Sequence, residues 1–389
     1  MADKKTFPLL FTQFFLLGFG ASIFGPLIPV LSESFNVDLD RIGTTLSLSA
    51  FGILLASLFA GTLSERIGKK NIYILGNLIF LGCFLGLYLS THFNHFTISY
   101  ILFGVAWGTI MVSCTSIISD VFPLTRSKMI MRVNTGFLVG SFVAPLLVSG
   151  ALYLNINWRY LFLSVSLLNL LLLILILSLK PEGYHNIKHE YDLRSLLSAN
   201  RKLLSNPIII LCSVINFLHL GAGITFGSWL TTYFDNLNIP VKIGSLILSL
   251  YSFSFAAGIF TKSFLFSRFS ERRVMQIFTI LAFITLTIFF FANTLILKIV
   301  FIMLFAFSFS GISATSISLG IHQNPRSSGS ITSIINSFGF SGLVIFQYTA
   351  GYLAENFSVN NVILICIGAL FLMIIPTIVL SFSHRLDKS

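Results

Sequence analysis

The chain has 389 residues, 55% hydrophobic and 10% charged, with 42 phenylalanines and a mean hydropathy of +0.92. Soluble domains carry about a quarter charged residues, which excludes a soluble enzyme or binding module. The formal net charge of +11 would suit a nucleic-acid partner only if the bases formed one exposed surface.

Apolar stretches of about 20 residues, each long enough to cross roughly 30 Å of hydrocarbon as a helix, recur from end to end. They are continuous rather than alternating, which argues against a transmembrane β-barrel. Twelve spans are expected near 8–31, 42–62, 71–90, 97–119, 130–152, 160–179, 207–233, 243–266, 274–292, 296–319, 329–353 and 360–382. The first run, 7–31, is too long for the core of a cleaved signal and lacks a small-x-small site, so it is expected to be retained.

With loops assigned alternately, the side holding the N-terminus collects 20 of the 24 Lys and Arg residues, leaving Arg41, Arg159, Lys242 and Lys298 on the other. That bias is the positive-inside pattern. It implies a multi-pass protein of the plasma or inner membrane with both termini cytoplasmic. The excess base is then topology, the partner is the lipid bilayer, and no nucleic acid is implied. Cys83, Cys114, Cys212 and Cys366 sit inside apolar runs without ligand spacing and are expected as small core residues. No metal or cofactor is implied.

In chain order, span 1 offers Gln13. The turn after span 2, "GTLSERIGKK" at 61–70, concentrates four charges between Gly61 and Lys70, around Gly68. Gly61 is expected to let a neighbouring helix approach, and Gly68 to supply a turn. Glu65 can receive the positive N-terminal end of another helix, Arg66 can pair with Asp120, and Lys69 and Lys70 complete the loop. Span 4 carries Trp107 and ends in "DVFPLTR", which includes Arg126. Span 5 begins with Asn134 and places Gly136, Gly140 and Ala144 four apart on one face. That spacing suits sliding or static close packing equally, and Pro145 permits a bend. "NWRYLF" at 157–162 leads into span 6.

Residues 181–206 form the longest polar stretch, either a basic amphipathic helix on the cytoplasmic leaflet or a solvated linker. Span 7 carries Asn216, His219 and Trp229. With no carboxylate at mid-depth, His219 is left close to the middle of its span: a substrate or proton group, or a hydrogen-bonded structural residue. Lys262 and Arg132 either attract an anion or snorkel to the headgroups. Asn336 opens span 11 where Asn134 opens span 5.

All thirteen acids fall in loops or near span ends. Polar and aromatic groups scattered on apolar walls suit a neutral or weakly charged organic solute. The two halves also repeat. An offset of 202 lays "GTLSERIGKK" on "SFLFSRFSER", aligning Leu63 with Leu265 and Arg66 with Arg268, as parallel six-helix repeats would.

Residues 61–70 resemble the signature loop between spans 2 and 3 of the major facilitator superfamily, with Glu65 where the family usually has Asp. "DVFPLTR", "GFLVGSFVAPLLVSG" at 136–150 and "NWRYLF" resemble its spans 4, 5 and 6. Span 1, "GFGASIFGPLIPVL", is similar to that of the sugar permeases. The resemblance implies an all-α membrane protein of 12 transmembrane helices in two pseudo-symmetric six-helix bundles, 1–180 and 207–389, joined by the linker 181–206. It implies that spans 1, 4, 7 and 10 line the path, that Glu65 and Arg66 latch the inner face against span 11, and that span 5 faces span 8. Two features of the family's antiporters are altered: Tyr100 stands at their span-4 arginine, and Ala144, Val148 and Ser149 depart from their span-5 pattern.

The function implied is a monomeric secondary transporter that moves a small-molecule substrate by alternating access, with protons a candidate co-substrate and no catalysis. A proton-coupled multidrug or metabolite exporter is the alternative. An intramembrane enzyme or receptor is disfavoured, because no span offers a Ser/His pair, metal cluster or nucleotide loop.

Overall fold

The computed structural model describes residues 2–122, 125–178, 203–266 and 268–382, and every element among them is helical. Spans 2 to 6 are Leu39–Ile67, Lys69–Tyr88, Phe93–Val121, Arg126–Tyr153 and Arg159–Ser178. Spans 7 to 9 are Pro207–Asn236, Val241–Leu265 and Glu271–Phe291, and spans 11 and 12 are Ser328–Asn356 and Val359–Phe382. Among the described residues, eleven helices are long and apolar enough to cross a membrane, or twelve with span 1 counted as a bent pair. Large apolar side chains such as Phe264 and Ile296 remain three-quarters exposed, the surface that lipid rather than water solvates.

Two spans depart from the continuous helices expected. Span 1 is Ala2–Ser22 followed by Phe24–Phe35, bent by 42°. Pro26 lacks the N–H that would bond the carbonyl of Ser22, and its ring crowds that carbonyl. Span 10 is Leu295–Phe309 followed by Ile312–Gln323. Ser310 there is extended (φ −60°, ψ 153°) and Gly311 left-handed (φ 73°), a conformation that costs glycine little. Pro145, by contrast, is accommodated within the continuous helix Arg126–Tyr153.

Contacts divide the chain into two compact units: Met1–Glu190 with Leu230–Ser249, and Tyr191–Trp229 with Leu250–Ser389. The ends of spans 7 and 8 thus group with the first unit. There Ser149 Oγ donates to the Lys242 carbonyl at 2.8 Å, and Lys242 Nζ lies 5.1 Å from the Tyr153 ring centroid. Most of the expected linker falls outside the described residues, which resume at 203.

Each unit contains the same close helix crossing. A Cβ on Gly140 of span 5 would strike the Phe15 carbonyl oxygen and come within 2.7 Å of Phe19 N on span 1. A Cβ on Gly342 of span 11 would strike the Phe217 carbonyl oxygen of span 7. Both members of the second pair lie 202 positions beyond those of the first, the offset that aligns residues 61 and 263. The internal repeat is therefore a repeat of packing as well as of sequence. Gly136 joins the same crossing, its Cβ position 2.5 Å from the Phe11 carbonyl oxygen. Gly136 and Gly140 of span 5 thus face span 1. This corrects the expectation that Gly136 and Gly140 serve span 8.

Candidate functional site

The turn between spans 2 and 3 is built on Gly68, with φ 100° and ψ 138°. A side chain would be strained there, which accounts for this glycine. Lys69 follows at once and opens span 3. Its Nζ donates to both carboxylate oxygens of Asp120, at 2.6 and 2.8 Å, with each side chain about one-fifth exposed. The sequence reading assigned Asp120 to Arg66, but Arg66 is exposed and Lys69 holds the carboxylate. Lys69 lies beyond the turn, so the glycine reversal aims it at the foot of span 4. Gly61 is also not a close-approach point: the nearest atom to its Cβ position is Val112 Cγ1 at 4.0 Å. Arg126 is exposed and Lys70 partly buried. The side chain of Glu65 lies outside the described residues.

At the opposite end of the first unit, "NWRYLF" has a direct role. Arg159 donates from Nη2 to the Ser90 carbonyl at 3.2 Å, at the end of span 3. Its guanidinium also lies 4.3 Å from the Trp158 ring centroid and 5.5 Å from that of Phe35. A cation satisfying a helix C-terminus while lying over aromatic rings is a stable arrangement. Tyr100 is buried, 3.9 Å centroid to centroid from Phe24 and 5.6 Å from Phe103. Tyr100 is thus one ring of an aromatic cluster.

In the core of the first unit, Gln13 is fully buried. Its Oε1 accepts from Tyr73 Oη at 3.3 Å, while its Nε2 has no partner among the described residues. Asn77 and Asn169, on spans 3 and 6, are also fully buried, and Asn169 Nδ2 donates to the Asn77 backbone carbonyl at 3.0 Å. The sequence reading missed both amides, although a side-chain amide inside an apolar span is itself a signal. Trp107 is partly exposed and packs 5.6 Å from Phe103 and 5.7 Å from Phe137. Asn134 is exposed.

The second unit engages more of its candidates internally. Asn216 donates to the Ile335 carbonyl at 2.9 Å and accepts from Ser313 Oγ at 2.6 Å, tying span 7 to spans 11 and 10. Trp229 donates to Gln347 Oε1 at 3.0 Å, and Gln347 Nε2 in turn donates to Ser228 Oγ at 3.1 Å. Asn216 and Trp229 thus hold this unit together. Asn336 is only partly buried.

His219 differs. Its Nε2 lies 3.1 Å from the Phe309 carbonyl at the break in span 10, and its ring stacks on Phe309 at 4.2 Å and 16°. A carbonyl only accepts, so Nε2 carries the proton and Nδ1 of the neutral ring presents a lone pair. Nδ1 is buried without a partner among the described residues. A buried polar atom left unpaired costs about 1–3 kcal/mol. Among the described residues, Gln13 Nε2 in the first unit is thus a buried donor, and His219 Nδ1 in the second a buried acceptor, without a partner.

Lys262 neither snorkels nor offers itself to an anion. Its side chain is 3% exposed, and its ammonium points into the break of span 10, where it donates to the Ser308 carbonyl at 2.6 Å and to the Ser310 carbonyl.

The Major Facilitator Superfamily profile matches residues 10–347. The chain belongs to this superfamily. The TsgA homolog of Buchnera aphidicola subsp. Baizongia pistaciae (strain Bp) is 22% identical over 372 residues, spanning 94% of this chain and 93% of that protein. Among solved structures, a point mutant of the nucleoside transporter NupG superposes with a TM-score of 0.80 at 16% identity, over 97% of this chain and 99% of that one. A D-xylose-proton symporter gives a TM-score of 0.79 at 14% identity, over 97% of each chain. Superfamily membership makes the chain a secondary transporter with a small-molecule substrate.

Proposed function

We propose that this superfamily member carries a neutral, hydroxylated organic solute of sugar or nucleoside size by alternating access. The observation that supports this reading most is the placement of the acids: no carboxylate lies in the middle of any span. An organic cation would need a buried countercharge, and none is available at mid-depth. Taken by itself, the second unit offers His219 Nδ1 as a buried acceptor without a partner among the described residues, the kind of group that a hydroxyl donates to. Partly exposed Trp107 offers an aromatic face on which an apolar ring surface can pack. The fold neighbours named for nucleosides and D-xylose agree in substrate class, though at their low identity they bear on the fold alone.

The test is a melting screen of the purified protein against pentoses, hexoses, nucleosides, aromatic acids and organic cations. A solute that binds the folded state raises the midpoint, and flux of that solute into liposomes without nucleotide shows transport. Stabilisation and flux confined to neutral hydroxylated compounds are expected. Stabilisation by organic cations alone would replace this reading with an exporter.

A further inference from the structure

Span 10 breaks where span 8 delivers a lysine, and the two features occur together in only one half of the chain. At the offset of 202, Ala60 stands where Lys262 does and Thr109 where Gly311 does. Span 4, the counterpart of span 10, runs unbroken as Phe93–Val121. The packing beneath is shared by both halves. Ala56 Cβ lies 3.0 Å from the Cβ position of Gly108, and a Cβ on Gly258 would strike the Phe307 carbonyl oxygen and Ser310 Oγ. Gly258 therefore lets span 8 close onto span 10, and Lys262, four residues on along the same face, arrives at the break.

A helix that ends inside the protein leaves carbonyl oxygens without N–H partners and concentrates negative partial charge there. At the end of Leu295–Phe309 these oxygens converge on one ammonium. Lys262 Nζ donates to the carbonyls of Ser308, at 2.6 Å, and Ser310, with the Phe307 carbonyl at 3.3 Å and Ser310 Oγ at 3.4 Å. The Phe278 ring centroid is 4.3 Å away, adding a cation–π face. The fourth carbonyl of the break, that of Phe309, is bonded by His219. All these oxygens are neutral, and no carboxylate is among them. Unwound carbonyls and half-helix C-terminal ends of this kind coordinate small monovalent cations.

We propose that the break in span 10 is a monovalent-cation site whose resident is the chain's own Lys262 ammonium, and that a small free monovalent cation takes the same oxygens when that ammonium is removed. The lysine acts as a tethered ion: the wild-type protein needs no dissolved cation to hold the break, whereas a chain without the ammonium acquires that need.

Purified Lys262→Ala would be melted in sodium, methylammonium and N-methylglucamine chlorides at equal ionic strength. The expected result is a midpoint several degrees below wild type in N-methylglucamine, recovered in methylammonium or sodium, with the wild type melting alike in all three. Lys262→Met fills the space of the lysine stem without a charge, so it should melt low and recover in none. Equal melting of Lys262→Ala in all three salts, or a Lys262→Met protein as stable as wild type, would overturn the proposal. Where neither variant can be recovered folded, reductive methylation of the wild-type protein decides. Lys262 should stay unmodified while exposed Lys128 reacts; equal modification of the two would contradict an engaged ammonium.

Discussion

Among single residues, His219 carries the most specific claim. Its stacking on Phe309 and its bond to the Phe309 carbonyl fix the ring, and Nδ1, buried without a partner among the described residues, is the atom proposed to meet the solute. His219→Phe keeps an aromatic ring over Phe309 but removes both nitrogens. Loss of one hydrogen bond to the solute, worth about 0.5–1.5 kcal/mol, should weaken binding of the ligand found in the melting screen by up to about tenfold. Unchanged affinity would make His219 purely structural. Gly68 makes a second residue-scale case: with φ at 100° and ψ at 138°, Gly68→Ala should cost about 1–3 kcal/mol, read as a lower melting midpoint. Lys69→Ala should cost under about 1 kcal/mol, because the Lys69–Asp120 pair is partly solvated. Sequence alone brought out Asp120, Gly68, His219 and Gln13 because charged, turn-forming and polar residues are conspicuous against an apolar background. It did not bring out their partners. Arg66 and Lys69 differ only in which side of a glycine reversal they occupy, and that direction is set by a dihedral. Asn216 and Trp229 stood out as polar residues within a span, yet only the packed bundle reveals that neighbouring helices consume their hydrogen bonds.

For the helices themselves, span ends matched the sequence reading to within a few residues, because the lengths of apolar runs are set by the membrane. The break at Ser310–Gly311 was not legible: a serine and a glycine inside an apolar run also suit an intact, tightly packed helix. Lys262 was misjudged for the related reason that its carbonyl partners exist only once span 10 breaks. The glycine stripe of span 5 was recognised correctly as a packing surface but given the wrong partner, since small residues announce a close approach without naming what approaches. Gly140→Val and Gly342→Val each force a side chain onto the facing backbone of Phe15 or Phe217. Each should destabilise by about 1–3 kcal/mol, and by similar amounts, since the contact is the same one repeated. A large cost at one position and none at the other, measured by denaturant or thermal melting, would break the equivalence of the two crossings.

For the whole molecule, the twelve spans and the duplication were both carried by pattern: hydropathy gave the number of spans, and an offset of 202 residues linked loops that share few identities. That offset returns in atomic detail at Gly140 with Phe15 and at Gly342 with Phe217. An even number of spans per repeat makes the halves parallel, so equivalent loops emerge on one face of the membrane. Arg66 and Arg268 are exposed repeat-mates, Asn238 is exposed between spans 7 and 8, and the four native cysteines are buried. The most direct measurement is therefore the labelling of single cysteines at 66, 268 and 238 with a membrane-impermeant thiol reagent in sealed vesicles of known orientation. The account predicts that Arg66→Cys and Arg268→Cys react from the same, cytoplasmic face and Asn238→Cys from the opposite one. Labelling of positions 66 and 268 from opposite faces would contradict it.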